Sequence, residues 1–264
     1  MNSLAQADPI FVARDRYLAS CLLSPFADDM ARRLSRLNTG PLLEIAADTG
    51  ALTRAAASAV SAGIAIVATD SNPLSVATLR RNSGLARVTW RVADPCDLPF
   101  QDSTFGIVAC QFAMAWQPDR ASALSEARRV MRPGGRFVFS VPGLPRFNPV
   151  ARCVQTALEG MFPDDPSAFI SRGLHGDNDD GAIDNDLTDA GFTDAVYTNV
   201  DLRFAARAEE AAISYCLGTG LRGEIECRGS ADTAVDTVAE SLRRQFGSDV
   251  IRAPMRALLV SASA

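Results

Sequence analysis

Short apolar runs alternate with longer amphipathic stretches along the chain from residue 41 onward. A run of about four to eight apolar residues is typical of a buried strand, whereas apolar residues at every third or fourth position are typical of a helix. Their alternation predicts an α/β fold with a mostly parallel sheet and helices on both of its faces. The seven predicted strands are Leu42–Ala46, Ile64–Thr69, Val88–Val92, Phe105–Cys110, Arg136–Val141, Ala195–Leu202 and Met255–Ser261.

The intervening stretches carry the helical spacing. One of them ends in Arg128, Arg129 and Arg132, followed by Pro133-Gly134-Gly135, which is typical of a helix C-terminus and stop. Apolar residues at helical spacing over residues 14–37 predict one or two further helices before the first strand. The other predicted helices are Leu52–Ala62, Pro73–Asn82, Ala121–Met131, Asn148–Met161, Ala208–Leu217 and Ala231–Phe246.

Residues 163–189 interrupt this pattern. The stretch is polar and rich in Asp and Gly, with little strand character, which predicts an insertion or lid. Its carboxylates lack the fixed spacing and terminal Glu of a Ca²⁺ loop, so we expect a solvated loop and no metal site. The carboxylates concerned are Asp177, Asp179, Asp180, Asp184 and Asp186.

Composition narrows the choice of partners and compartment. The net charge is −5 and the 26 cationic residues are all Arg, so the chain lacks the basic field that nucleic-acid binding requires. No apolar stretch is long enough to span a membrane, and the N-terminus lacks a signal-peptide pattern. The six scattered cysteines form no CxxC pair, which indicates reduced thiols. We therefore expect a cytoplasmic protein without a membrane or nucleic-acid partner.

A strand, a tight turn and a helix start follow one another over residues 42–54. A turn of small residues lets backbone amides and a helix N-terminus approach a ligand closely. Asp70 ends the next predicted strand, about twenty residues later, where a carboxylate can accept both hydroxyls of a ribose. This spacing favours a nucleotide or a related nucleoside ligand, although strand-turn-helix units of this kind also occur without a ligand.

Three further segments follow in order. They are Val92-Ala93-Asp94-Pro95-Cys96-Asp97-Leu98-Pro99-Phe100, then Ser103-Thr104-Phe105-Gly106-Ile107-Val108, and then Arg129-Val130-Met131-Arg132-Pro133-Gly134-Gly135. With these segments the chain resembles the class I S-adenosylmethionine (SAM) dependent methyltransferases of the small-molecule "type 11" group over residues 40–142. Less diagnostic segments at 173–176, 190–193 and 214–219 extend the resemblance over most of the chain.

The resemblance implies a domain organisation. We expect an N-terminal helical cap over residues 1–40 and a SAM-binding, Rossmann-like core over residues 41–142. A cap or lid insertion, partly helical, would occupy residues 143–193. Residues 194–264 would complete the seven-stranded sheet and supply helices on the substrate side.

The resemblance also implies roles for individual residues in binding SAM. The turn from Glu44 through Ala46 to Gly50 would pass beneath the methionine part. Asp70 would bind the ribose hydroxyls, and Asp94 would accept a hydrogen bond from the adenine amino group. Ala93 and Pro95 would lie on either side of the adenine ring. Further expected contacts of the cofactor are Ser71, Gln111 and Tyr17. Phe112, Met114 and Trp116 would line the junction between SAM and substrate, with core packing as the alternative for these three.

The glycine-rich turn departs from the pattern of the group. The group commonly has Gly at three alternate positions, which here hold Ala46, Asp48 and Gly50. The Asp48 carboxylate would lie close to the SAM carboxylate, and two like charges about 4 Å apart cost roughly 4 kcal/mol at an effective dielectric constant near 20. Relief is expected if Asp48 turns away and caps the helix that begins near Ala51.

The remaining candidates lie outside the predicted core. His175 is the only histidine, so it is the one side chain with an unperturbed pKa near neutrality and a candidate general base and substrate contact. A solvated or structural loop histidine is the alternative. Tyr215 is a further candidate substrate contact, and Tyr17 and Tyr215 would close over the pocket, unless both pack in the core.

Two functions follow from these expectations. The first is transfer of the SAM methyl group to an O, N or C nucleophile of a small-molecule acceptor. The second is a methyltransferase-like fold that no longer methylates, either a different enzyme or a small-molecule binder, because of Asp48. Methylation of RNA or DNA is disfavoured by the acidic balance and by the sequence Gln111-Phe112-Ala113-Met114 after the fourth strand. A homodimer is left open.

Overall fold

The sheet forms the centre of the fold. A computed structural model describes residues 9–37, 39–82, 84–166, 170, 175 and 180–264. Within these residues the sheet has seven strands in the order β3-β2-β1-β4-β5-β7-β6. The strands are β1 (Leu42–Glu44), β2 (Ile66–Asp70), β3 (Val88–Val92), β4 (Phe105–Gln111), β5 (Met131–Pro142), β6 (Thr193–Arg207) and β7 (Val250–Ser263).

The strand pairing is mixed. Parallel pairs join β1 to β2 and β4, β2 to β3, and β4 to β5. Strand β7 pairs antiparallel with β5, with Phe139 opposite Val260. The order of the strands reverses between β1 and β4, and ligands of such sheets bind beyond the carboxyl ends of the strands at this reversal. The predicted mostly parallel α/β sheet is confirmed.

The helices alternate with the strands through the first half of the chain and follow them in longer groups in the second half. They are α1 (Pro9–Ala13), α2 (Ser24–Leu34), α3 (Ala51–Ala59), α4 (Pro73–Asn82), α5 (Arg120–Val130), α6 (Pro149–Met161), α7 (Asp180–Asp189), α8 (Ala208–Gly218), α9 (Leu221–Arg228) and α10 (Ala231–Phe246). A π-helical segment, Arg14–Leu23, joins α1 to α2, and short 3₁₀ turns span Ala113–Trp116 and Pro145–Phe147. None of the helices among the described residues is long and apolar enough to cross a membrane.

The solvated loop predicted over residues 163–189 is wrong for its last third, which forms α7. Ile183 and Leu187 lie one helical turn apart, and both are buried in the core cluster that includes Phe192. Asp184 accepts a hydrogen bond from the Tyr197 hydroxyl at 2.7 Å, and Asp186 forms an ion pair with Arg120. These two carboxylates therefore belong to a packed helix. Asp177 and Asp179 lie outside the described residues.

The chain divides into two compact units, and each is described by itself. One comprises Phe26–Pro142, Asn178–Val200 and Ala257–Ala264, and contains the core of stacked rings in which Phe137 meets Phe139 at 4.9 Å and Phe192 at 5.3 Å. The other comprises Met1–Pro25, Gly143–Asp177 and Asp201–Arg256. In that second unit α10 packs against α6 and α8.

Candidate active site

The turn after β1 has an alternating left-handed backbone. Ala46, Asp48 and Gly50 have φ values of 55°, 50° and 74°, a conformation that costs a residue with a Cβ about 1 kcal/mol. The Ala47 amide donates to the Thr69 carbonyl at 2.8 Å, so the turn is tied to the end of β2. A Cβ added to Gly50 would come within 3.1 Å of the Leu79 side chain. The turn is therefore closely held, and of its three left-handed positions only the last has glycine.

Asp70 connects this turn to the end of β2. Its Oδ2 accepts the Asp48 amide at 2.8 Å and its Oδ1 accepts the Asn72 amide at 2.9 Å. An ionised carboxylate has about four acceptor sites, so two remain for other donors. The half-buried carboxylate is thus oriented by backbone groups and keeps the capacity to accept a pair of hydroxyls. Ser71, the next residue, is exposed.

Glu44 serves as an internal link between β1 and α3. The side chain is 1% exposed, and its Oε2 accepts the Thr53 hydroxyl at 2.5 Å. Burial raises the pKa of Glu44 to about 8, while the hydrogen bond from Thr53 acts in the opposite direction. The carboxyl of Glu44 is therefore mostly protonated at neutral pH. It stabilises the turn through its hydrogen bond with Thr53 of α3, and it adds less than a full negative charge there.

Helix α3 begins after Gly50, which is its N-cap residue and has no side-chain capping bond. Asp48 lies two residues before Gly50 and is half-buried. The expectation that the Asp48 side chain relieves its charge by turning towards the start of α3 stays a prediction.

Asp94 belongs to the segment that follows β3. The Ala93 amide donates to the Asp70 carbonyl at 3.1 Å, which ties the segment after β3 to the end of β2. The exposed Asp94 carboxylate accepts the Cys96 amide at 2.8 Å through Oδ1. Ala93 and Pro95 on either side of it are buried. The structure therefore brings two oriented carboxylates and the turn after β1 to one edge of the sheet.

Two side chains of the segment after β4 pack in the core. Gln111 ends β4 and is half-buried, whereas Phe112 is 2% exposed, has a φ of 63° and meets the Phe26 ring edge-on at 5.5 Å. Met114 is 1% exposed in the core cluster. Neither Phe112 nor Met114 presents a surface to a ligand in this structure, so core packing accounts for both. The Trp116 side chain lies outside the described residues.

His175 is buried, so the solvated form of its alternative is wrong and the structural form agrees with its position. It is 2% exposed, and its Nδ1 is in hydrogen-bond contact with the Gly143 carbonyl oxygen. Burial lowers the pKa of His175 to about 4, and the contact with Gly143 opposes this shift only in part. The neighbouring residues of the predicted segment, Gly173, Leu174 and Gly176, lie outside the described residues.

The two tyrosines differ in exposure. Tyr215 is 2% exposed, and burial raises the pKa of its phenol, so it behaves as a core residue of α8 and does not offer its ring to a pocket. Tyr17 is half-buried in the π-helical segment, with the Arg16 guanidinium 5.2 Å from its ring centroid. Its cofactor contact stays a prediction. Among the described residues, no group of three His, Cys, Asp or Glu side chains could hold a metal ion.

Residues 43–139 match the sequence model of a family described as a methyltransferase domain. A demethylmenaquinone methyltransferase of Clavibacter sepedonicus is 29% identical over 210 residues, which cover 74% of this chain and 84% of the relative. A nocamycin O-methyltransferase of Saccharothrix syringae is 27% identical, with 69% of each chain covered. A ubiquinone/menaquinone biosynthesis C-methyltransferase of Geobacter sp. strain M21 is 33% identical, but this match covers 44% of this chain and 52% of the relative.

Solved structures share the fold at low sequence identity. Phosphoethanolamine N-methyltransferase 2 of Haemonchus contortus, in complex with SAM, matches with a TM-score of 0.60 and 18% identity, covering 96% of this chain and 56% of that one. The [4+2]-cyclase SpnF matches with a TM-score of 0.56 and 19% identity, covering 89% and 80%. Residues 43–139 are thus similar to a methyltransferase domain, and the chain shares the fold of these solved structures.

Proposed function

We propose that this enzyme transfers the methyl group of SAM to an O, N or C nucleophile of a small molecule through the site at the ends of β1, β2 and β3. The observation that carries the proposal is the Asp70 carboxylate, which the amides of Asp48 and Asn72 orient beside the turn after β1. A carboxylate at this place in an α/β sheet is suited to binding the two hydroxyls of a ribose.

The donors and acceptors of the site fit SAM. Asp70 would accept the ribose hydroxyls, and Asp94 would accept the adenine amino group between the flanking Ala93 and Pro95. The residues of the turn, Glu44 to Gly50, would lie beneath the methionine part, with Ser71 and Gln111 as further contacts. Two features support this fit: the spare acceptor capacity of the Asp70 carboxylate, and the exposure of the Asp94 carboxylate, which the Cys96 amide orients through Oδ1 and whose four acceptor sites exceed this one bond.

The chain contributes binding and orientation to the reaction. SAM, when bound, supplies a methyl group that its sulfonium already activates, so the protein has to hold the acceptor in line with that group and exclude water. The backbone hydrogen bonds of the turn after β1 and of Asp70 support this proposal, because they would hold the cofactor side of the alignment rigid. No obligatory base is required by such chemistry.

Substitution of Asp70 tests the proposed SAM site directly. Asp70→Ala should weaken SAM binding at least about 100-fold in calorimetry, because two charge-assisted hydrogen bonds and the tie to the Asp48 amide are lost together. Asp97→Ala, which changes an exposed carboxylate three residues beyond Asp94, is the matched control and should bind SAM as the wild type does. Equal affinity of Asp70→Ala and wild type for SAM would refute the proposed site.

The second candidate function is that of a protein with a methyltransferase-like fold that does not transfer a methyl group. Asp48 favours this candidate. The residue places a carboxylate in the turn where the group has glycine, and one protein of the same fold is a cyclase by name. Titration with SAM separates the candidates. Binding at micromolar concentration supports methyl transfer, whereas no binding at millimolar concentration supports the second candidate.

The partners and the location of the protein are inferred from the proposed reaction and from the composition of the chain. We infer a small-molecule acceptor, a cytoplasmic location and no nucleic-acid partner, and the net charge of −5 supports the last of these. Salt-sensitive retention of RNA or DNA in a filter-binding assay would contradict the inference. A homodimer stays open, and sedimentation of the purified chain decides it.

A further inference from the structure

Two side chains of helix α5 hold the irregular segment that follows Asp94. The Leu98 amide donates to Oε2 of Glu126 at 2.7 Å, and the Leu98 carbonyl accepts a hydrogen bond from Nη2 of Arg129 at 2.9 Å. The Phe100 carbonyl accepts a second bond from Arg129, through Nη1, at 2.8 Å. Backbone groups outside helices and strands need partners, and α5 supplies them here through its side chains.

The guanidinium of Arg129 has no spare donor. Its Nε and Nη2 donate to the two oxygens of Glu126 at 2.6 and 2.7 Å, and Nη1 also donates to Oδ1 of Asp102 at 2.7 Å. Together with the bonds to Leu98 and Phe100, these contacts use all five N–H groups of the guanidinium. Bidentate pairs between arginine and a carboxylate have a defined geometry. We call Glu126 and Arg129 together the α5 clamp.

The clamped segment is continuous with the turn that orients Asp94. The Asp97 amide donates to the Asp94 carbonyl at 3.1 Å, and the Cys96 amide donates to Oδ1 of Asp94 at 2.8 Å. Leu98 follows directly, and its side chain is 2% exposed in the core cluster. The turn that carries the Asp94 carboxylate therefore ends at a residue whose amide, carbonyl and side chain are all fixed.

A further contact joins this turn to the start of α5. The Cys96 thiol donates to the Asp119 carbonyl, with 3.4 Å between sulfur and oxygen. Asp119 is the N-cap residue of α5, and its side chain accepts the Ser122 amide at 3.0 Å. Helix α5 thus contacts the segment through its first residues and again through the clamp near its end. Two contacts at separate points of one helix restrict the orientation of the segment more than a single contact does.

We propose that the α5 clamp positions the Asp94 carboxylate to accept a hydrogen bond from the 6-amino group of adenine, and so makes the site selective for an aminopurine nucleoside. The proposal rests on the proposed function, because it concerns the same SAM site. A hydrogen bond weakens steeply when its angle or length departs from the optimum, so a displaced segment would lose the bond to the base. Glu126 and Arg129 act as positioning residues, since the donors of Arg129 are all used within the protein.

The charge of the clamp is constant near neutral pH. Hydrogen bonds from Arg129 lower the pKa of Glu126, so its carboxylate is ionised there. The clamp is therefore tested by substitution and not by a change of pH.

Two nucleoside ligands measure the selectivity. They are S-adenosylhomocysteine and S-inosylhomocysteine, in which a carbonyl oxygen replaces the 6-amino group. A carboxylate accepts a hydrogen bond from the amino group and repels the carbonyl oxygen. We expect the wild type to bind S-adenosylhomocysteine at least about tenfold more tightly in calorimetry, which is the effect of one hydrogen bond to a charged group.

Arg129→Lys keeps the positive charge but has three donors on one atom in place of the planar fork, so it cannot make the five bonds together. The preference for S-adenosylhomocysteine should fall below about threefold. Glu126→Gln, the milder change, keeps an acceptor for the Leu98 amide and should have an intermediate preference. Arg128→Lys is the matched control: its guanidinium donates to the Gly191 carbonyl at 3.2 Å, and loss of this bond should leave the preference unchanged.

A double-mutant cycle separates positioning from a purely structural role. Asp94→Ala removes the acceptor, so it should abolish the preference by itself. If the clamp acts through Asp94, the addition of Arg129→Lys to Asp94→Ala should change the preference no further. A clamp that only stabilises the fold would weaken the binding of both ligands equally and leave the preference intact, and urea denaturation of each variant measures that stability.

Several results would overturn the inference. They are equal affinity of the wild type for the two ligands, an unchanged preference in Arg129→Lys or in Glu126→Gln, and a loss of preference in Arg128→Lys as large as that in Arg129→Lys. Failure of the wild type to bind S-adenosylhomocysteine at all instead refutes the proposed function.

Discussion

Asp48 combines backbone strain with an unfavourable charge. Its φ of 50° lies in the left-handed region, which glycine adopts without a steric penalty. For an aspartate this conformation costs about 1 kcal/mol. Its amide nonetheless orients Asp70. The backbone of this residue therefore supports the ribose carboxylate, while its side chain adds a negative charge to the turn that would lie beneath the methionine part of SAM.

These two properties can be separated by substitution. Asp48→Asn removes the charge and keeps the strain, so it should tighten SAM binding about tenfold or more, provided that the carboxylates of Asp48 and SAM repel each other. Asp48→Gly removes both, and it should also raise the free energy of unfolding by about 1 kcal/mol. Calorimetry and urea denaturation measure the two effects.

A ligand without the methionine carboxylate serves as the control. Methylthioadenosine has the nucleoside of SAM but no amino-acid group, so its affinity should be the same in the wild type and Asp48→Asn. Equal tightening for both ligands would show that Asp48 acts on the shape of the site and not through its charge. No tightening for either would remove the argument that Asp48 opposes SAM binding.

Single residues were predicted unevenly from the sequence. The positions of Asp70 and Asp94 at the ends of β2 and β3 could be predicted because motif spacing and strand ends determine them, whereas their roles at the cofactor stay predictions. The burial of His175 could not be predicted, because the sequence around it is rich in polar residues, whereas the ring contacts Gly143, which is distant along the chain. Phe112 was equally ambiguous, since an aromatic residue after a strand suits both a pocket and a core.

At the scale of elements, β1 and α3 are joined by the buried hydrogen bond from Thr53 to Glu44. The carboxyl of Glu44 has a pKa of about 8 in the folded chain and about 4.5 in the unfolded chain. Between these values the folded chain binds more protons than the unfolded chain. The stability that protonated Glu44 confers is therefore complete below about pH 4.5 and is lost as the pH rises through 8.

Glu44→Gln removes this titration and keeps the shape of the side chain. The wild type should lose several kcal/mol of stability between about pH 5 and 8 relative to Glu44→Gln, and the upper bound is about 5 kcal/mol for a shift of this size. Urea denaturation at a series of pH values measures the difference. Both proteins contain His175, so the titration of its ring cancels in the difference. Parallel stability curves for the two proteins would contradict the assignment.

The strands and most helices were predictable because their periodicity is strong. Strand β3 and helices α4 and α10 have the predicted bounds, whereas β1 ends early because the left-handed turn begins at Ala46. Helix α7 was missed because Asp, Asn and Gly dominate its composition and only Ile183 and Leu187 show its buried face. Tertiary packing decides such a segment, and local propensity does not.

At the scale of the whole molecule, the last residues of the chain form an inner part of the sheet. Residues 257–262 pair with Phe137–Pro142 of β5, and Val260 and Ala262 are fully buried in the same core as Phe139. The sheet order places β7 between β5 and β6. The core around β5 therefore depends on pairing between distant parts of the chain, and such pairings form slowly.

Removal of residues 257–264 should therefore abolish cooperative unfolding, because β5 loses its antiparallel neighbour and the core loses Leu258, Val260 and Ala262 together.

Point variants separate the effect of side-chain packing from the effect of strand pairing. Val260→Ala should cost about 1 to 3 kcal/mol through the cavity that it leaves, whereas Ser261→Ala, at a half-buried position of the same strand, should cost less than about 0.5 kcal/mol. Circular dichroism and thermal unfolding of the three proteins measure these effects. A sharp transition in the truncated chain would mean that the sheet is complete without its last strand, and a Ser261→Ala effect as large as that of Val260→Ala would mean that burial does not decide the cost.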